Sequence, residues 1–177
     1  GVPGREAEGA MSQEVIRVAD RYYVLSTSPR VDDRTRVLKH GDTFGVFDRW
    51  GDIDPFGSGE LGLYHRDTRY LSRFSLRLDG ARPWLLSSTI KEDNALLAAD
   101  LTNPDVRGDG VAVPRGTVHL FRAKFLWQGR CYERLRVHNY GLEPLELRIA
   151  VEFDADFIDI FEVRGLRRAR RGRALDP

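Results

Sequence analysis

Short apolar runs alternating with polar positions dominate the chain from residue 21 onward. "RYYVLS" (21–26), "RVLKHGDTFGVFD" (36–48), "YLSRFSLRLD" (70–79) and "WLLSSTI" (84–90) are aromatic or β-branched runs broken by Gly, Pro and Asp. "GTVHLFRAKFLW" (116–127), "CYERLRVHNY" (131–140) and "LELRIAVEFD" (145–154) continue the pattern. The last is the cleanest. Leu145, Leu147, Ile149, Val151 and Phe153 share one face of an extended chain, with Glu146, Arg148 and Glu152 opposite. That alternation predicts a strand whose apolar face is buried. No segment keeps a 3.6-residue apolar period for three turns, and no internal repeat is present. Spaced strands with turn signals between them, such as Asp79-Gly80 and "NYGLEP", predict an all-β fold: a two-sheet antiparallel β-sandwich with little helix.

One stretch departs from simple alternation. In "GLYHRDTRYLSRFSLRLDG" (62–80), Phe74, Leu76 and Leu78 alternate with Ser75, Arg77 and Asp79 as a half-buried strand should. Before them, Tyr64, His65, Arg66, Asp67, Arg69 and Tyr70 crowd polar chemistry into seven positions. Three readings stay open for Tyr64, Arg66, Asp67 and Arg69. They tie strands together as an Arg–Asp network, form a docking surface, or rim a sugar-binding cleft, where aromatic faces and bidentate guanidinium donors suit a saccharide.

At 177 residues the chain suits a single domain with a real core. Residues 1–14 are small, polar and aperiodic, and read as a disordered tail or cloning remnant ahead of a β-domain over 15–177. Cys131 is the sole cysteine, so no intrachain disulfide forms. No apolar run approaches the roughly 20 residues of a membrane helix, and no secretory pattern opens the chain; the expected location is cytoplasmic, away from membranes. The net charge of +1 supplies no field to recruit nucleic acid. All but three of the 28 basic residues are arginine, a bias over the whole chain that fits base composition better than function.

The search for catalytic chemistry returns little. There is no G-x-S-x-G elbow, and His40, His65, His119 and His138 stand in no triad relation to a nucleophile. No metal-ligand spacing or cofactor motif occurs, so neither metal nor cofactor is expected. Cys131 sits mid-strand and reads as a small buried hydrophobe. "GSGELG" (57–62) lacks the Lys-Ser/Thr of a phosphate loop and reads as a mobile loop. "RGLRRARRGR" (164–173) has no interleaved aromatics and reads as a solvated exit or a strand against acidic neighbours. "FDADFIDIFEVRG" (153–165) places Asp154, Asp156, Asp159 and Glu162 among large apolar residues. In an extended strand Asp154 and Asp156 share a face at about 7 Å, a spacing that suits an inverting glycosidase pair. A solvated strand edge carries acids just as readily. The alternation breaks at Phe157-Ile158, which predicts a bulge or short helical turn there.

"VFDRWGDIDPFGSGELGLYHRDTRYLSRFSLRLDG", "LLSSTIKEDNALLAADLTNPD", "VPRGTVHLFRAKFLW", "ERLRVHNYGLEPLEL" and "DADFIDIFEVRG" follow one another in a specific order. Over about residues 21–175 the chain resembles the N-terminal domain of bacterial glycogen-debranching-enzyme-like proteins, of the amylo-alpha-1,6-glucosidase type. The resemblance implies a supersandwich-like β-domain preceding an (α/α)6 helical toroid that holds the catalytic carboxylates of a glycoside hydrolase. These 177 residues contain no such helical half. The resemblance therefore implies a non-catalytic accessory domain in carbohydrate metabolism, partnered by that toroid and through it by α-glucan. A free-standing carbohydrate-binding or protein-interaction module is the alternative, and a small hydrolase using Asp154, Asp156 or Glu162 is a third.

Overall fold

The computed structural model describes residues 35–54, 59–91, 93–107 and 112–166, together with the backbone of Val15–Val18 and Arg21–Val24. The tail expected over 1–14 lies outside the described residues. So do Gly57 and Ser58 of the expected loop and residues 167–173 of the Arg-rich run. The chain divides into two compact units, Gly1–Asp33 and Arg34–Pro177. In the first, β1 (Val15–Val18) and β2 (Arg21–Val24) pair antiparallel, Val15 opposite Val24.

The second unit is all-β, as the alternation predicts. The run over 36–48 folds into β3 (Thr35–His40) and β4 (Thr43–Asp48), followed by β5 (Gly62–His65) and β6 (Thr68–Leu71) in one antiparallel sheet of sequential order. Next come β7 (Arg73–Leu78), β8 (Trp84–Ile90), β9 (Leu97–Thr102) and a short ribbon, β10 (Val106–Arg107) with β11 (Ala112–Val113). β12 (Val118–Trp127) and β13 (Arg130–Asn139) complete a second four-stranded antiparallel sheet, ordered β13-β12-β9-β8. β14 (Ile149–Asp154) pairs with β7, and Ile160–Val163 forms the short helix α1. Among the described residues no helix is long and apolar enough to cross a membrane.

Two-residue turns set the hairpin registers. Asp79-Gly80 and Gln128-Gly129 both have positive φ at each residue, the geometry whose twist matches the strands it joins. They hold Leu78 against Ala81 and Trp127 against Arg130. Inward positions from both four-stranded sheets and β7 meet in one core that includes Leu38, Phe47, Leu76, Leu78, Leu101 and Leu120. Each such side chain contributes about 1.5–3 kcal/mol by leaving water.

β14 corrects one expectation. Leu145 and Leu147 pack partly against the core, but Ile149, Val151 and Phe153 are 41%, 43% and 72% exposed. Register places them opposite Leu78, Leu76 and Phe74, on the same sheet face, and Leu76 and Leu78 are fully buried. The alternation is real. Within the described residues no opposing layer reaches over β14, so one sheet face is core on β7 and bare on its neighbour.

Candidate functional site

The crowded stretch at 62–70 resolves into β5, a two-residue turn and β6. Arg66 (φ 46) and Asp67 (φ 64) form that turn and are exposed, with His65 opposite Thr68. Here the same double left-handed geometry is adopted by two residues with side chains, which glycine would occupy without strain. Among the described residues Arg66 has only a wide, solvent-exposed approach of 3.9 Å to Asp42, and no ion pair joins Asp67 to Arg66 or Arg69. Tyr64 is buried instead. Its ring stacks on Phe44 with centroids 4.6 Å apart, and its hydroxyl donates to the Glu60 carbonyl at 2.9 Å. Burial pushes its phenol above the usual range, with Arg69 opposing.

Arg69 is the centre of the Arg–Asp network, and its acid is Asp156. Nε donates to both carboxylate oxygens at 3.1 Å, Nη2 donates to Oδ2, and Nη1 donates to the Gly59 carbonyl at 3.1 Å. Burial opposes the Arg69 charge, but the Asp156 carboxylate outweighs it and holds the guanidinium protonation above its usual range. Gly62 makes room for this knot: a Cβ there would lie 2.6 Å from Arg69 Cδ and 2.8 Å from the Tyr64 ring.

The acidic stretch serves the same junction. β14 ends at Asp154, and Phe157 takes φ 51, the interruption expected at Phe157-Ile158. Asp156 consequently leaves the strand and turns to Arg69, so Asp154 and Asp156 are not the two same-face strand carboxylates that the alternation suggested. Asp154 is exposed and accepts from the Ala155 amide at 2.8 Å. Asp159 caps α1, its Oδ1 accepting from the Phe161 amide at 2.8 Å, while Glu162 reaches back to the Asp159 amide. Backbone bonds fasten this segment to β6: Arg69 N donates to the Ile158 carbonyl and Ile160 N to the Asp67 carbonyl, both at 2.8 Å. The cleft of about 50 Å³ between Tyr64 and α1 holds a water or two, not a sugar ring. The structure thus brings Tyr64, Arg69, Asp156, Asp159 and Glu162 into one joint and leaves Arg66, Asp67 and Asp154 facing solvent.

A second cluster went unread in the sequence. On β12, period two places Arg122 and Lys124 on the inward face with Val118, Leu120 and Leu126, and both are fully buried. Arg122 donates to Glu133 on β13, to Asp52, and to the Trp50 carbonyl at 2.9 Å; Lys124 donates to the other oxygen of Glu133. Lys124 Nζ also lies 4.2 Å from the Phe74 ring centroid. Asp52 accepts from the Leu76 amide at 3.1 Å and lies 3.3 Å from the Arg82 guanidinium, which donates to Asp48. Three cations thus face three carboxylates.

Burial and the like charge of Arg122 lower Lys124 to about 8, against the pull of Glu133. Burial opposes ionisation of Glu133 too, but Arg122 and Lys124 together hold it below the usual carboxylate range. Burial, then the neighbouring Asp52 charge, raises Asp48. Cys131, half-buried against the core, has its thiol raised by burial. Arg122, Lys124 and Asp52 are sealed inside the core, where they brace two sheets and offer no substrate access, while Arg82 at the edge of the network stays one-third exposed.

The histidines assemble no nucleophilic site. On the outer face of the second sheet, Asp100 accepts from Ser87 Oγ at 2.8 Å and lies 2.9 Å from His119 Nε2. The carboxylate stands between hydroxyl and imidazole, so the histidine cannot take the serine proton. Among the described residues no group of three or more His, Cys, Asp or Glu side chains is gathered as metal ligands would be.

A family model described as the N-terminal domain of some glycogen debranching enzymes matches residues 38–177. The chain belongs to this family. Nothing among curated proteins or solved structures matches it. The debranching-enzyme match begins in β3 and spans both clusters, so the Arg69–Asp156 joint and the buried charge network both lie inside the family's domain.

Proposed function

We propose that the chain is a non-catalytic accessory domain of a cytoplasmic glycogen-debranching-type glycoside hydrolase acting on α-glucan. In this reading it supports or rims the active site of a helical toroid in the same parent protein. The observation that carries the reading is the bare face of β14: Ile149, Val151 and Phe153 continue a core face without a covering layer among the described residues. Apolar groups aligned this way mark an interaction surface. The exposed Arg66, Asp67 and Asp154 supply polar groups of the kind an interdomain contact or a cleft rim uses.

The acids favour the same conclusion. Asp156 is engaged by Arg69, and Asp159 and Glu162 cap a helix, which leaves them poorly suited to act as a proton donor and base across a glycosidic bond. Incubated with branched α-glucan, the 177-residue chain is expected to release no glucose. Turnover that disappears in both Asp156→Asn and Glu162→Gln would overturn the reading and make the chain a hydrolase.

A further inference from the structure

Beside the β4 end, the chain forms an open cleft of about 590 Å³, lined by Arg49, Trp50, Arg82, Pro83, Trp84 and Leu86 with Leu85. That volume falls within the range of small-molecule sites. We propose that this cleft binds a segment of α-glucan chain, two to a few glucose residues long. The inference rests on the α-glucan reading above and gives it a place on this domain, in a cleft that no residue of β14 lines.

The cleft is built rigidly. Trp50 Nε1 donates to the Pro83 carbonyl at 3.0 Å, and the Arg82 guanidinium lies over the Trp50 ring at 4.1 Å. Arg82 is in turn held by Asp48 and Asp52, so one wall of the cleft is anchored to the buried charge network. Against this fixed wall, Trp84 and Leu86 stand 47% and 60% exposed. A glucose ring presents one face of C–H groups that stacks on an indole, and a rim of hydroxyls that needs donors and acceptors. Trp84 supplies the platform, with the Arg115 guanidinium over its ring at 5.7 Å as a neighbouring donor. Arg49 supplies the donors: it is exposed and makes no ion pair among the described residues, so its fork is available to a pair of vicinal hydroxyls.

The lining also limits what the cleft can do. It contains no carboxylate of its own, and of the acids behind its wall Asp48 is engaged by Arg82 and Asp52 by Arg122 and Arg82. The site can therefore hold a glucan without cutting it, as an anchoring subsite should.

Calorimetric titration of the 177-residue chain with maltoheptaose tests the proposal. Saturable binding is expected, weakened at least ten-fold in Trp84→Ala and in Arg49→Ala and unchanged in Trp127→Ala, whose indole is exposed elsewhere. It should be insensitive to salt because the ligand is neutral. Thermal melts check folding; should Trp84→Ala fail to fold, Arg49→Ala and Leu86→Ser, both at exposed positions, carry the test. No heat with the wild-type chain, equal binding by the cleft variants, or tighter and salt-sensitive binding of glucose 1-phosphate would each overturn it. Such a failure leaves the accessory-domain reading standing, since that reading fails on glucose release by the chain itself.

Discussion

At the scale of single residues, the turn at Arg66-Asp67 is a strained element. Two L-residues hold left-handed backbone conformations where the equivalent turns at Asp79-Gly80 and Gln128-Gly129 place glycine second. An L-residue in that region costs about 1–2 kcal/mol relative to one at ease there, less for Asp, whose short side chain tolerates it. Asp67→Gly should therefore stabilise the chain by about 0.5–1 kcal/mol, read as a higher urea midpoint at unchanged slope. Asp67→Ala should lower it, because alanine keeps the Cβ penalty without that tolerance. A collapse of stability on Asp67→Gly would show that the carboxylate has a buried role. The turn itself was legible as polar and crowded. Its conformation was not, because neither residue announces a positive φ as glycine does. Nor could spacing pair Arg69 with Asp156, which lies 87 positions away.

Among elements, β12 and β14 carry equally clear alternation and end in opposite environments. On β12 the pattern correctly separates inward from outward residues, yet two inward positions are Arg122 and Lys124. The signal was present as charges in phase with Val118, Leu120 and Leu126. Charges normally face water, so that phase alone does not announce a buried network, and the partner that completes the pairing, Asp52, is 70 residues away. On β14 the pattern separates the faces too, but alternation says only which residues share a face, not whether another layer covers it. Two outcomes follow for the buried network. Arg122→Met removes the closest cation from both Asp52 and Glu133, leaving Asp52 the 3.3 Å approach of Arg82 and Glu133 only Lys124, and should cost about 3–5 kcal/mol in a urea melt. Lys124→Met leaves Glu133 with Arg122 and should cost far less.

The pH dependence separates these residues further. Lys124 titrates near 8 in the folded chain and near 10.5 when exposed, so between those values the unfolded chain binds the extra proton. Stability from this group therefore rises with pH across that window, by up to about 1.4 kcal/mol per unit. Cys131 acts oppositely: its raised thiol makes the folded chain hold a proton that the unfolded chain loses, so its contribution falls as pH climbs past the usual thiol range. In a Cys131→Ala background the urea midpoint should climb from pH 8 to 10, and adding Lys124→Met should flatten the climb. A flat profile before Lys124 is changed would contradict the buried charge.

For the whole molecule, strand content, antiparallel pairing and family were readable from alternation and from motifs in order. β5 and β9 were not singled out as strands, since Gly-Leu-Tyr-His and Leu-Ala-Ala-Asp lack the β-branched runs that mark one. What sequence left invisible was the bare β14 face, a property of layering. Phe153 is already 72% exposed, so Phe153→Asp should shift the thermal midpoint of the isolated chain little, as surface substitutions within about 0.5 kcal/mol do. The direct test is glucose release from branched α-glucan by the parent protein carrying Phe153→Asp. If the β14 face seats the catalytic toroid, release should fall at least ten-fold while the isolated domain melts unchanged; full activity in that variant would contradict the account.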